Sequence, residues 1–263
     1  MTRLSETFAT LKKQGRKALF IYLMAGAPDI KTTIEAVLAA EKAGADVIEL
    51  GVPFSDPIAD GPVIQAAGVT SLKNGVKIKH IIDMVKSLRQ VTQIPLIGMG
   101  YINTMLNFGV NKFIEEFQAA GLDGLIIPDL PHEESAEIMQ FCQSRDFHLA
   151  EFITPNTTVE RMKETCKSAN GFIYCVSVNG VTGVRKLDYT PIHEVMKIAR
   201  QQTDIPLMIG FGIGNGAAAK EASRYGDGVI VGSAVVQKIA DHDIAGACQL
   251  ISSIRQALDE GVD

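Results

Sequence analysis

The stretch Ala43–Leu50 reads AGADVIEL and contains one complete transition from a helix to a strand. Ala43 ends a helical pattern in which Ile34 and Val37 lie on one apolar stripe. Gly44 suits the left-handed backbone that commonly ends a helix. The residues VIEL then form a short and mostly apolar run, as a strand covered on both faces does. The stretch therefore predicts a helix that leads directly into a buried strand.

The same transition recurs at Ala120–Asp123 (AGLD) and at Tyr225–Gly228 (YGDG). Around these repeats, short apolar runs alternate with longer amphipathic stretches along the whole chain, which is typical of βαβ units and a parallel sheet. The predicted strands are Ala18–Met24, Asp46–Leu50, Pro95–Met99, Gly124–Ile127, His148–Phe152, Gly171–Val176, Pro206–Ile209 and Gly228–Val231.

The amphipathic stretches between the strands have apolar residues at helical spacing. The predicted helices are Leu4–Lys13, Ile30–Ala43, Val76–Val91, Asn111–Ala120, Glu133–Ser144, Thr158–Ser168, Pro191–Gln202, Asn215–Tyr225 and Asp243–Leu258. One repeated unit without a linker predicts a single-domain (β/α)8 barrel, a TIM barrel, over residues 1–263, and the extra N-terminal helix is expected to plug its bottom. The alternative is a doubly wound open sheet, which we expect to lack paired glycine turns late in the chain.

Composition limits the possible partners. The formal net charge is −5 and no basic stripe is visible, which argues against nucleic acid but not against a small phosphate ligand. The longest apolar run, Ala18–Ala27, is about half of a membrane span and is interpreted as a buried strand. The four cysteines match no zinc or redox spacing, so we expect reduced thiols in the cytoplasm. None of the five histidines is predicted to be catalytic or to bind a metal.

Carboxylates lie at the end of the second predicted strand and in the loop after it, at the end of the barrel where active sites lie. Glu49 stands within the apolar run, where an unpaired carboxylate has a raised pKa and can act as a general acid. The alternative is a glutamate that simply reaches solvent at the strand end. The following loop contains three prolines and two further carboxylates, Asp56 and Asp60, and its sequence does not say which aspartate points inward.

Glycine-rich turns follow the last two predicted strands, at Gly210–Gly216 (GFGIGNG) and Val231–Ala234 (VGSA). Exposed N–H groups, the Ser233 hydroxyl and a helix N-terminus would favour a phosphate there, although glycines can also serve only tight turns. The loop Ser177–Arg185 carries two glycines around Val-Thr and is either a mobile loop that approaches a ligand or a plain surface loop.

Apolar and aromatic residues lie at or just beyond the strand ends, where they either fill the upper core or line a site for a flat apolar substrate. These residues are Tyr22, Met99, Tyr101, Ile126, Phe152, Tyr174 and Phe211.

The segment Glu49–Gln65 (ELGVPFSDPIADGPVIQ) resembles the signature of the tryptophan synthase alpha subunit family. The resemblance continues through Ala43–Asp46, Asp129–Pro131, Gly180–Gly183, Gly210–Ile213 and Gly232–Ala234, and so covers essentially the whole chain. It implies a lyase that cleaves indole-3-glycerol phosphate to indole and glyceraldehyde 3-phosphate, with no cofactor of its own.

The resemblance also implies roles for single residues. Glu49 is expected to be the catalytic acid and base, and Asp60, rather than Asp56, the group at the indole nitrogen. The expected phosphate contacts are Gly183, Gly212, Gly232 and Ser233. The expected contacts with the rest of the substrate are Tyr22, Met99, Tyr101, Ile126, Tyr174, Thr182 and Phe211.

A partner is implied as well. The family pairs with a beta subunit that carries pyridoxal phosphate, in an alpha2beta2 tetramer, and we expect the interface at Pro53–Asp60 and Asn103–Phe108, with Asp56 facing the partner. Three other readings stay open: a free-standing lyase that releases indole, a sugar or histidine-pathway isomerase, and a regulatory barrel that binds a phosphate metabolite. The signature after the second strand speaks against the isomerase, and Glu49 against the regulatory barrel.

Overall fold

A parallel sheet forms the centre of the computed structural model, which describes residues 1–176, 190–210 and 212–260. Its strands follow in the order β5-β4-β3-β2-β1-β9-β8-β7-β6. They are β1 Ala18–Met24, β2 Val47–Gly51, β3 Leu96–Met99, β4 Gly124–Ile126, β5 His148–Leu149, β6 Glu151–Ile153, β7 Ile173–Val176, β8 Leu207–Gly210 and β9 Gly228–Val231.

The two ends of this sheet, β5 and β6, are halves of one strand separated by Ala150. β5 pairs with β4 and β6 pairs with β7, while the Ala150 N–H still donates to the Leu125 carbonyl at 2.9 Å. The sheet therefore closes through the chain itself, which confirms the (β/α)8 barrel and excludes the open sheet. The prediction of one continuous strand over His148–Phe152 was wrong, because each half of the strand pairs with a different neighbouring strand.

Helices surround the barrel and cover its bottom. They are α1 Arg3–Gln14, α2 Ile30–Lys42, α3 Pro62–Lys73, α4 Ile78–Arg89, α5 Ile102–Phe108, α6 Val110–Ala120, α7 Ala136–Gln143, α8 Val159–Ser168, α9 Thr190–Gln202, α10 Gly216–Ser223, α11 Ser233–Ala240 and α12 Ile244–Asp259. Each predicted helix is present, although the one predicted from Glu133 starts with the separate 3-10 turn His132–Glu134. α3 and α5 were not predicted from the sequence.

The strands alternate between an outer and an inner apolar layer. The outer layer packs against the helices, and the inner layer fills the barrel. Near the bottom, the rings of Phe20 and Phe172 meet edge to face with centroids 5.2 Å apart, and Phe8 of α1 lies 6.0 Å from Phe20. Leu4 of α1 is fully buried in the same cluster. The N-terminal helix thus closes the bottom of the barrel, as the sequence predicts.

An aspartate–arginine clamp occurs three times at this bottom face. In each clamp an aspartate just before one strand accepts, at 2.8 Å, the N–H of a leucine in the neighbouring strand, and an arginine from a surrounding helix binds the same aspartate. The three sets are Asp46, Leu19 and Arg255; Asp123, Leu96 and Arg89; and Asp227, Leu207 and Arg200. Each arginine also donates to the carbonyl two residues before that leucine, in Lys17, Ile94 and Ile205 respectively.

The repeated AG-x-D sequences encode two of these clamps. Gly44 and Gly121 have φ values of 108° and 106°, and a Cβ at either position would come within 2.7 Å of the Cγ of Arg255 or Arg89. Glycine is therefore needed both for the backbone conformation and for the passage of the arginine chain. The clamps tie neighbouring strands and helices at the bottom, so that the opposite end of the barrel is left for chemistry.

Candidate active site

Glu49 lies on β2 with its side chain inside the barrel. It is paired in register with Tyr22 of β1 and with Ile97 of β3, and only 3% of its surface is exposed. Its Oε2 atom is buried without a hydrogen-bond partner among the described residues. Burial raises the pKa of Glu49 to about 8, and the negative charge of Asp60 adds to the effect. At neutral pH Glu49 therefore carries a proton that it can donate.

Asp60 is the carboxylate of the following loop that faces inward. It is 7% exposed, whereas Asp56 is exposed and hydrogen-bonded only to Ser55 among the described residues. Burial raises the pKa of Asp60 to about 6, and a hydrogen bond from the Tyr101 hydroxyl opposes that rise. The two buried carboxylates thus titrate at different pH, which is the pattern expected of an acid and an electrostatic stabiliser.

The backbone around Asp60 is held from both sides. Its N–H donates to the carbonyl of Pro57 at 3.1 Å, and its own carbonyl accepts from the side-chain amide of Gln65 at 2.9 Å. α3 begins at Pro62, a residue well suited to the first helical position because it lacks an N–H. The loop is therefore a fixed support for Asp60 rather than a loose connection.

Aromatic and apolar side chains line the same chamber. The rings of Phe54 and Tyr101 stack with centroids 5.2 Å apart, and those of Phe152 and Tyr174 stack at 5.3 Å. Buried residues at the ends of β1, β3, β4 and β7 complete the wall. These are Tyr22, Met99, Ile126 and Tyr174. A chamber with two carboxylates and several rings suits a flat apolar ligand that carries a polar atom.

The glycine-rich turns after β8 and β9 lie next to this chamber. Gly232 precedes the first turn of α11, and its carbonyl accepts the N–H groups of Val235 and Val236. The N–H groups of Ser233 and Ala234 belong to the first turn, where an α-helix provides no acceptor. A Cβ on Gly214 would lie 3.8 Å from the Ala234 Cβ, so the two glycine turns meet. Gly212 in the first of these turns has a φ of 73°. The combined turns form a cradle suited to an anion.

Some of the predicted site residues lie outside the described residues, namely Thr182, Gly183 and Phe211, and so does the loop Ser177–Arg185. Three further residues contribute to the site without having been predicted from the sequence. Phe54 stacks on Tyr101, Ile64 of α3 lies near Gly232, and Gly51 makes room for Tyr22. The position of Phe54 beside the two loop aspartates was the one available signal.

Three further features concern the described part of the chain. No group of three or more histidine, cysteine, aspartate or glutamate side chains there could hold a metal ion. None of its helices combines the length and the apolar character that a membrane crossing requires. His148 lies at the bottom of the barrel, where Thr2 and Asn170 bind its ring. Glu49 and Asp60 lie at the opposite end of the barrel.

The fold and the site together define the class of (β/α)8-barrel enzymes, here with a pair of buried carboxylates of raised pKa at the mouth of the barrel. Residues 8–260 match the family model described as tryptophan synthase alpha chain. The alpha chain of Caldanaerobacter subterraneus subsp. tengcongensis is 42% identical over 256 residues and 97% of each chain, and that of a Thermoanaerobacter species is 46% identical over 240 residues and 91% of each. The crystal structure of tryptophan synthase subunit alpha from Legionella pneumophila has a TM-score of 0.91 at 34% identity, over 99% of both chains.

The chain therefore belongs to the tryptophan synthase alpha chain family, as the resemblance in the sequence implied. Members of this family cleave indole-3-glycerol phosphate to indole and glyceraldehyde 3-phosphate in tryptophan biosynthesis.

Proposed function

We propose that this chain is a carbon–carbon lyase in which Glu49 transfers protons and Asp60 stabilises positive charge on the indole ring of indole-3-glycerol phosphate. One observation carries the proposal: two carboxylates are buried at the mouth of one barrel, with pKa values of about 8 and about 6. At neutral pH the first is protonated and the second is ionised, which is the combination that a retro-aldol cleavage of this substrate needs.

In the first step, Glu49 donates its proton to C3 of the indole ring. The ring becomes an indolenine cation, whose charge is shared with N1. The ionised Asp60 accepts a hydrogen bond from N1–H and stabilises that charge in a site where water is largely excluded. The fixed loop around Asp60 keeps this carboxylate in place before the charge develops.

In the second step, the bond between C3 and the glycerol chain breaks, and its electron pair returns to the ring to restore indole. The hydroxyl on the chain carbon loses its proton to the ionised Glu49 and becomes the aldehyde oxygen. Glu49 ends the cycle protonated, as it began. Because the two proton transfers balance all charges, we propose that the chain uses no metal and no organic cofactor of its own.

The remaining contacts follow the shape of the site. The phosphate binds at the turn of Gly212, Gly232 and Ser233, and the ring lies among Tyr22, Met99, Tyr101, Ile126 and Tyr174. Gly183, Thr182 and Phe211 are proposed as further contacts on the resemblance alone. The phosphate turn supplies N–H groups at a helix N-terminus, and the stacked aromatic pairs supply apolar surface for the ring.

A beta subunit that carries pyridoxal phosphate is the proposed partner, in an alpha2beta2 tetramer that converts the released indole further. We propose the interface at Pro53–Asp60 and Asn103–Phe108. Ile58 is 77% exposed and Leu106 is 58% exposed in these two segments, and exposed apolar side chains of this size favour an interface. We expect the chain to work as one domain in the cytoplasm.

The partner surface can be tested through Asp56, which is exposed in the first of these segments. We expect Asp56→Ala to weaken the activation of indole formation by the beta subunit, while the activity of the chain alone stays unchanged. Asp83→Ala removes an exposed carboxylate from α4 and serves as the matched control. Equal activation of both variants and the wild type would remove Asp56 from the interface.

The proposed cleavage is tested by indole formation from indole-3-glycerol phosphate, with and without a beta subunit. We expect Glu49→Gln and Asp60→Asn each to lower turnover by about 10²–10⁴-fold with substrate binding largely kept. Glu151→Gln is the matched control, because Glu151 is also a buried strand glutamate but binds His132 and Ser168 in the helix layer.

Two outcomes would count against these roles. A normal rate in Glu49→Gln would show that another group moves the proton. A defect of Asp60→Asn mainly in binding would make Asp60 a residue that positions the ring. A wild-type rate that the beta subunit does not increase would instead favour a free-standing lyase.

A further inference from the structure

Tyr22 lies between the two ends of the proposed substrate path. β1 runs between β9 and β2, and Tyr22 is paired in register with Glu49. On the other side, a Cβ on Gly232 would lie 3.6 Å from the Cβ of Tyr22, so the phosphate turn adjoins the same side chain. A molecule that is bound by the phosphate turn and reacts at Glu49 must therefore pass Tyr22.

The ring of Tyr22 leans over β2 because Gly51 has no side chain. Gly51 is the next inward residue after Glu49 along the strand, and a Cβ there would overlap the Tyr22 hydroxyl. Tyr174 leans over Gly210 of its neighbouring strand in the same way. The Tyr22 hydroxyl therefore lies on the side of Glu49 that faces the barrel mouth, where the bond cleavage is proposed to occur.

This hydroxyl has a weak acceptor in the structure. Tyr22 is 5% exposed, and its O–H donates to the thioether sulfur of Met24 at 4.0 Å. Residues 1–176, 190–210 and 212–260 provide no other hydrogen-bond partner for it. Burial raises the pKa of Tyr22 well above its usual value, and the charges of Asp60 and Glu49 add to the rise. The hydroxyl thus keeps its proton and gains from an oxygen acceptor in the chamber.

We propose that the Tyr22 hydroxyl hydrogen-bonds the substrate hydroxyl on the carbon joined to the indole ring, and that Tyr22 is a specificity-determining residue. The inference rests on the proposed cleavage of indole-3-glycerol phosphate. That substrate oxygen adjoins the bond that breaks and becomes the aldehyde oxygen. By donating to it, Tyr22 leaves the proton of the substrate hydroxyl free to reach Glu49. When a ligand lacks this hydroxyl, the Tyr22 hydroxyl has only the Met24 sulfur as a hydrogen-bond acceptor.

The test compares wild type with Tyr22→Phe, which removes one oxygen and keeps the ring over Gly51. Three ligands are used: indole-3-glycerol phosphate, an analogue that keeps only the hydroxyl beside the ring, and indole-3-propyl phosphate, which has no chain hydroxyl. We expect kcat/KM to fall three- to tenfold for the first two, as for the loss of one neutral hydrogen bond. We expect the Kd of the third, measured by calorimetry, to stay the same.

Each other result overturns the assignment. An equal loss for all three ligands would show that Tyr22 acts through packing, and no loss for any would show that its hydroxyl does not bind substrate. A loss confined to the natural substrate would assign the contact to the other chain hydroxyl. If the wild-type chain forms no indole, the proposed function itself is wrong. If the wild-type chain cleaves the substrate and Tyr22→Phe cleaves it equally well, only this inference is wrong.

Discussion

The Tyr101 hydroxyl donates a hydrogen bond to the Asp60 carboxylate while it accepts the N–H of Ala59 at 3.1 Å. Tyr101 caps the N-terminal end of α5, and Asp60 belongs to the loop before α3, so one phenol joins two segments of the barrel mouth. The bond favours the ionised form of Asp60 and opposes the rise in its pKa that burial causes. Tyr101 is thus a residue that keeps Asp60 charged as well as part of the chamber wall.

Removing this phenol oxygen is expected to shift the titration of Asp60. In Tyr101→Phe the pKa of Asp60 rises above its present value of about 6, because burial remains and the opposing hydrogen bond is lost. The acidic limb of the kcat/KM profile should move to higher pH, with a larger loss at pH 6 than at pH 7.5. Tyr225→Phe, which removes a hydroxyl bound to Glu221 on α10, is the control. An unmoved acidic limb would show that Tyr101 does not tune Asp60.

The wild-type profile itself is expected to be bell-shaped. Activity rises as Asp60 ionises at a pKa of about 6 and falls as Glu49 loses its proton at a pKa of about 8. Because the charge of Asp60 helps to raise the pKa of Glu49, Asp60→Asn should move the alkaline limb to lower pH. The pH dependence of the residual activity in Asp60→Asn measures this shift. An alkaline limb that stays in place would contradict the coupling of the two carboxylates.

The buried carboxylate also costs stability. Glu49 has a pKa of about 8 in the folded chain and about 4.3 in the unfolded chain. The stability that the protonated side chain contributes to the fold is therefore fully present below about pH 4 and is lost as pH rises to about 8. Unfolding free energies of wild type and Glu49→Gln should therefore diverge with increasing pH, by at most about 1.4 kcal/mol per unit, in favour of the variant. Denaturant titrations at pH 5 and pH 8 measure the difference. A difference independent of pH would mean that folding does not perturb the pKa of Glu49.

Much of the fold follows from local pattern, and the exceptions have physical causes. β1 and β9 have the bounds that their apolar runs predict, because both faces of each strand are covered. α3 contains Gly68, a poor helix former, and no side-chain hydrogen bond caps its start at Gly61. α5 spans only seven residues, which is too short for a helical period to show.

One part of the candidate site likewise follows from local sequence, and another part depends on contacts between distant segments. Glu49 stands out in the sequence because a charge interrupts an apolar strand. The orientation of Asp60 rather than Asp56 depends on Tyr101, which comes from another loop, so no local pattern contains it. The preference for Asp60 came from the family resemblance. The role of Gly51 likewise depends on the ring of Tyr22 from the neighbouring strand.

The clamps at the barrel bottom provide a matched pair for stability. Asp123 and Arg89 have side chains 4% and 8% exposed, whereas Asp227 and Arg200 make the same contacts with 43% and 39% exposure. Breaking a buried pair leaves an uncompensated charge and costs about 3–5 kcal/mol, whereas an exposed pair contributes about 1 kcal/mol or less. Asp123 also binds Arg3 of α1, so its loss loosens the helix that closes the barrel.

We therefore expect Asp123→Asn to lower the unfolding free energy several-fold more than Asp227→Asn. Both substitutions keep an oxygen that can accept the leucine N–H, so the comparison reports the loss of the charge, which at Asp123 includes the contact with Arg3. Urea denaturation measures the two losses, and indole formation per folded molecule should stay unchanged because both clamps lie at the end away from Glu49. Equal losses would mean that burial does not set the strength of the clamp, and that its backbone hydrogen bonds, common to both, carry the stability instead.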